Sequence, residues 1–386
     1  MKLIHVFSVF GTARSFFDGQ FGYLVDKGYQ IIVVGGSAND NDISRFAEKN
    51  KIRYEIVDIP RSISPKKVLN AIKQLIKLIK RENPNAVVGH TPVGALCAMI
   101  AGKIAHVRKR IYYRHGLIYT TMSGIKRVAF LWEERLVSAL ATDIVNVSSS
   151  LSSLAITDRL NRNSKQIVIG SGTCGGIDAI NVFNPNLVSN EQIHVYKKRY
   201  GLLDADIIFG YCGRICKDKG IVELVDGFRL FRKNHTDLKC KLLLIGGRDA
   251  RDSLTKDKLE DIRADESVVM TGPMDKSELN TMYALMDVFI LASYREGFPT
   301  CVLEASAMEK PILVTKSHGC IDSIIEHQTG EYIELTPQGI CVGMEKMLNP
   351  NLRYEQGKNG REMVLQKYDY SVTWPLIDDF YKHILA

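Results

Sequence analysis

The chain has 386 residues, a formal charge of +8, and 45% apolar and 24% charged residues, the composition of a globular protein of about two domains. No run approaches the ~18 consecutive apolar residues of a bilayer-spanning helix, and Met1–Phe7 is too short and lacks the cleavage site of a signal peptide. The eight cysteines are scattered, the nearest pair being Cys212-x3-Cys216, which excludes a disulfide framework and a zinc spacing and fits a cytoplasmic protein.

Charge is unevenly spread. Residues 1–185 hold 25 Lys+Arg against 13 Asp+Glu, whereas the remainder holds 26 against 30. A basic first half suits an anionic partner such as phospholipid headgroups, a lipid diphosphate or nucleic acid. No nucleic-acid-binding motif accompanies it.

In chain order, short β-rich runs alternate with amphipathic helical patterns, the signature of parallel α/β sheets. The first predicted strand, Leu3–Phe7, leads into a loop opening a helix, with Gly11 allowing close approach and Arg14 a cation. Strands over Ile31–Val34 and Tyr54–Val57 follow. From Pro65 to Arg81, Val68, Leu69, Ile72, Leu75, Ile76 and Ile79 form one stripe with the lysines mostly elsewhere, which reads as a sheet-covering helix. An interfacial membrane helix has the same pattern. Strands Ala86–Gly89 and Arg110–Tyr113 are followed directly by His90 and by Arg114-His115-Gly116, and Asp143–Val147 and Ile167–Ile169 complete the series. The glycine-rich Gly170–Gly176, with Asn181–Pro185 after it, is the predicted linker.

The second series comprises Ile207–Tyr211, Lys241–Ile245, Val268–Thr271, Val288–Leu291 and Ile312–Val314. The expected divisions are 1–180, 181–367 and a last helix, 368–386, that returns across the junction. Doubly wound domains bind ligands beyond the carboxyl ends of their strands. After Ile207–Tyr211 come Gly213, Arg214 and Lys219, then a helix near Ile221, which sets two cations where a diphosphate can sit. Glu296 and Glu304 stand eight apart, the first on a Gly/Pro turn and the second inside a short helix from near Pro299 that Thr300 is expected to cap. Carboxylates that accept sugar hydroxyls, flanking helix N–H groups that bind phosphate, suit a nucleotide sugar.

Gly213-Arg214 with Lys219-Gly220, followed by Glu296-Gly-Phe-Pro and Glu304, resembles the Glu-x7-Glu retaining glycosyltransferases of family 4, over essentially the whole chain. It is similar in detail to bacterial enzymes of capsule, O-antigen and lipid-linked oligosaccharide synthesis. The resemblance implies the GT-B fold, two Rossmann-like doubly wound domains facing across a cleft. It implies that Arg214 and Lys219 hold the diphosphate, and that Glu296, beside the Gly297–Phe298 backbone with Pro299 and Thr300, binds the transferred sugar. Glu304 would accept from the ribose, and Gly246, Gly272 and Pro273 would surround the base. On the acceptor side it implies Gly11 and Arg14 opposite the donor phosphates, a hydrogen bond from His115 to a sugar hydroxyl, and a lesser role for His90. The mixed aromatic and basic stretch Arg108–Arg135 is then the better place for a lipid-linked acceptor. Ile321 stands where an arginine is usual, and Glu309 where a glycine is common.

The expected function is transfer of an N-acetylhexosamine or hexose from a UDP-sugar to an undecaprenyl-diphosphate-linked or glycan acceptor. The expected enzyme is retaining, needs no cofactor or metal, binds no nucleic acid, and lies peripherally at the inner face of the cell membrane. Asp204-Ala-Asp206 matches a metal-binding Asp-x-Asp by chance. The rivals are a nucleotide-sugar epimerase on a similar fold, which would turn over donor alone, and a non-catalytic nucleotide-sugar-binding partner protein.

Overall fold

The structure is a computed structural model, and it describes residues 1–36, 40–60, 64–249 and 253–386. The chain divides into two compact units, Met1–Gly175 with Thr373–Ala386, and Gly176–Val372. The first holds a parallel sheet of β1 (Lys2–Val6), β2 (Gln30–Gly35), β3 (Arg53–Ile56), β4 (Ala86–Gly89), β5 (Lys109–Arg114), β6 (Asp143–Asn146) and β7 (Gln166–Ile167), in the order β3-β2-β1-β4-β5-β6-β7. Its central strands are unbroken apolar runs such as Ile31–Val34, because helices cover both faces. The helix Pro65–Glu82 buries Val68, Ala71, Ile72, Leu75, Leu78 and Ile79 in that core and leaves Leu69 exposed.

The second unit holds β8 (Ile207–Cys212), β9 (Cys240–Ile245), β10 (Val268–Gly272), β11 (Val288–Leu291), β12 (Ile312–Thr315) and β13 (Gly330–Ile333), in the order β10-β9-β8-β11-β12-β13. All its strand pairs are parallel. Strand β13 was absent from the sequence reading, for it is a four-residue edge strand whose Glu331 is buried and accepts from Gln356. The chain order reverses between β8 and β11, so the loops after those two strands adjoin where ligands bind in such sheets.

Candidate active site

The loop after β8 carries Arg214 and Lys219, and the loop after β11 carries Glu296. Two sets of bonds hold the loops together. Arg295 donates to both carboxylate oxygens of Asp218, at 2.9 and 3.1 Å, and Tyr294 N–H and the Ser293 hydroxyl donate to the Asp218 carbonyl. Gly220, in the left-handed region at φ +61°, packs so tightly on the Ala292 carbonyl that no side chain fits there. Lys219 Nζ consequently lies 2.5 Å from Glu296 Oε1, and both side chains are only 13% exposed. Burial works against the lysine's charge, but Glu296 outweighs it and raises the Lys219 pKa.

Arg214 is half exposed and pairs with the buried Asp249. Burial opposes its charge, and the bond to Asp249 raises its pKa. Gly246 N–H donates to the Gly272 carbonyl at 3.0 Å, joining two of the glycines expected around a base, and Gly213 N–H donates to the Ile245 carbonyl at 2.9 Å. The Pro273 ring lies over Gly247.

Thr300 does not cap the helix Thr300–Ala307. Pro299 holds the N-cap position, and no side chain accepts from the helix start. Its first N–H groups are therefore uncapped, the condition for anion binding. Phe298 is buried against the Tyr368 ring, 5.4 Å between centroids, which fixes the turn carrying Glu296. Glu304, one turn into the helix, accepts from the Tyr283 hydroxyl at 2.7 Å. Burial raises its pKa, with Tyr283 and Lys276 opposing. The buried thiol of Cys301, in the first turn of this helix, feels the charges of Glu296, Glu304 and Lys219. Burial first, then those carboxylates, push its thiol pKa well up. Asp249, Tyr283 and Cys301 escaped the sequence reading, since none belongs to a spaced motif.

In the first unit, Gly11 lies inside the helix Phe10–Phe17, not in a turn, and a side chain there would meet only Val9 at 3.9 Å. Arg14 is exposed, 3.9 Å from Asp42. His90, expected on the acceptor side, is fully buried and stacked 4.1 Å from Phe7. It joins a chain. His5 Nδ1 meets His90 Nε2 at 3.0 Å, His90 Nδ1 meets His115 Nε2 at 2.9 Å, and His115 Nδ1 meets Cys174 Sγ at 3.0 Å. Both nitrogens of His115 are thus occupied, and a sugar hydroxyl must displace one partner to bond it. Burial lowers the pKa of His5 to about 3 and of His115 to about 4, and burial, with the neighbouring His115 and His5, lowers that of His90 well below its usual value. All three rings are neutral near pH 7. In Asp204-Ala-Asp206, the Asp206 carboxylate accepts from Lys239 N–H at 2.8 Å.

The model for group 1 glycosyl transferases matches residues 193–363, and that for glycosyl transferase 4-like domains matches residues 10–150. Over 386 residues the chain is 29% identical to the capsular polysaccharide biosynthesis glycosyltransferase CapM of Staphylococcus aureus, covering 100% of this chain and 97% of that one. It is 20% identical over 323 residues to the UDP-Gal:alpha-D-GlcNAc-diphosphoundecaprenol alpha-1,3-galactosyltransferase of Escherichia coli, covering 83% and 81%. The fold matches Anabaena HepE in complex with UDP and glucose at a TM-score of 0.81, with 15% identity and coverage of 99% and 100%. The two halves of the chain thus match the 4-like and group 1 glycosyl transferase models, and with the GT-B fold and these relatives the chain is a glycosyltransferase.

Proposed function

We propose that the second unit binds a UDP-sugar and that the chain transfers its N-acetylhexosamine or hexose, with retention, to an undecaprenyl-diphosphate-linked or glycan acceptor in cell-surface polysaccharide synthesis. The Lys219–Glu296 pair beside an uncapped helix start carries this reading. The diphosphate takes Lys219, Arg214 and the helix N–H groups, while the sugar hydroxyls take Glu296 and the ribose takes Glu304. As the bond from the anomeric carbon to the diphosphate oxygen breaks, charge grows on that oxygen, and the cations stabilise it without a metal. The acceptor oxygen bonds to the anomeric carbon on the same face, and its proton passes to the departing phosphate. The named Escherichia coli relative, a galactosyltransferase named for an alpha-D-GlcNAc-diphosphoundecaprenol, supports the acceptor class, and a lipid-linked acceptor would draw the protein to the cytoplasmic face of the membrane.

The test is to incubate the protein with a donor panel and a lipid-diphosphate sugar, weigh the products and read the anomeric configuration by NMR. Turnover should persist in excess chelator, and Lys219→Ala should lower kcat by roughly 10²-fold. Inversion, loss of turnover in chelator, or conversion of donor alone into an isomer would overturn the proposal.

A further inference from the structure

The helix Gly124–Leu140 is inside out. It buries Glu133, Glu134, Val137 and Ser138, and it turns Ile125 (89% exposed), Val128 (51%), Trp132 (63%) and Leu136 (48%) to the outside. At 3.6 residues per turn these four fall on one face less than a quarter-turn wide. Ordinary helices of α/β domains do the reverse. Both its carboxylates are turned inside: Glu134 accepts from the Tyr112 hydroxyl at 2.9 Å and pairs with the Arg114 guanidinium at 3.4 Å, while Glu133 is buried with no hydrogen-bond partner among the described residues. The helix therefore shows solvent no acidic group, only the cations Lys126, Arg127 and Arg135. Arg127 lies over Tyr119 and Arg135 over Trp132, with 5.7 and 5.4 Å to the ring centroids.

An apolar ridge flanked by cations and cleared of anions is complementary to an anionic bilayer surface, where Trp and aliphatic side chains sit at headgroup depth and the cations meet phosphate. We propose that Gly124–Leu140 is the face by which this protein docks on anionic lipid, with Trp132 and Ile125 inserted. This deepens the reading of a lipid-linked acceptor, and it is tested without donor or acceptor so that either can fail alone.

The full chain is sedimented with vesicles of phosphatidylglycerol and phosphatidylcholine, and with phosphatidylcholine alone. Binding should need the anionic lipid and should weaken at least about tenfold in Ile125→Ser/Trp132→Ser, the loss of about 1.4 kcal/mol or more. Lys126→Glu/Arg127→Glu, which leaves the ridge intact, should weaken it as well. Both pairs are exposed, so the thermal transition should not move. Absent binding by the unaltered chain, binding by either variant as tight as that of the unaltered chain, or a solution dimer that Trp132→Ser dissociates would each overturn the proposal, the last by giving the ridge to a second copy.

Discussion

At the scale of single residues, the proposed grip on the donor is tested at Glu304 and Tyr283. Glu304→Gln keeps the shape but removes the charge that a ribose hydroxyl would meet, and should raise the donor KM about tenfold with a smaller effect on kcat. Tyr283→Phe leaves a half-buried carboxylate without its donor and should do less; titration calorimetry with UDP separates the two. His5 gives a pH test. Its folded pKa, about 3, lies below the ordinary 6.5, so the unfolded chain binds more protons between those values and stability is lost as pH falls through that window. His5→Leu should flatten the pH dependence of unfolding between pH 4 and 6 by about 1.4 kcal/mol per pH unit, measured by urea titration. Glu133, raised to about 7 by burial and by Glu134, titrates in the opposite sense in both proteins and cancels in the difference. The carboxylates and cations were legible in the sequence because each occupies a fixed offset from a strand end. Their fixing partners were not, for Asp249 reaches the site from the loop after Cys240–Ile245 and Tyr283 from the helix Lys276–Ala284, and His5 lies eighty-five residues from His90.

Strands and helices were read from periodicity, which served wherever a strand is buried on both faces. Ala86–Gly89 and Val288–Leu291 stand where they were expected. It failed at edges: β7 pairs over only Gln166–Ile167 before Gly170 turns, and β13 puts a glutamate inside. The helix Gly124–Leu140 is held by Arg114, which is fully buried and donates to Asn146, Ser138 and Asn161 at 3.0, 2.8 and 3.1 Å. Arg114→Ala leaves Glu134 buried without its cation, and should destabilise the first unit by about 3–5 kcal/mol in denaturant titration. Glu309, where a glycine is common, holds a left-handed φ of +59° and pairs with Lys358 at 2.8 Å, so the backbone there does favour glycine.

At the scale of the molecule the first unit is made from two stretches, and its last piece is not optional. The Tyr29 hydroxyl donates to Asp378 at 2.9 Å, and Trp374 Nε1 to the Gly175 carbonyl at 3.0 Å. Residues 1–175 expressed alone should lack a cooperative thermal transition, and joining 373–386 to them through a short flexible linker should restore one. The contact between Lys219 and Glu296 bears on what the whole protein can ignore. A bare phosphate ion can win the lysine only by stranding the glutamate, and a free monosaccharide can win the glutamate only by stranding the lysine. On the proposed reading a molecule bearing both groups satisfies both at once, and the resting clasp would act as a filter against orthophosphate and loose sugars.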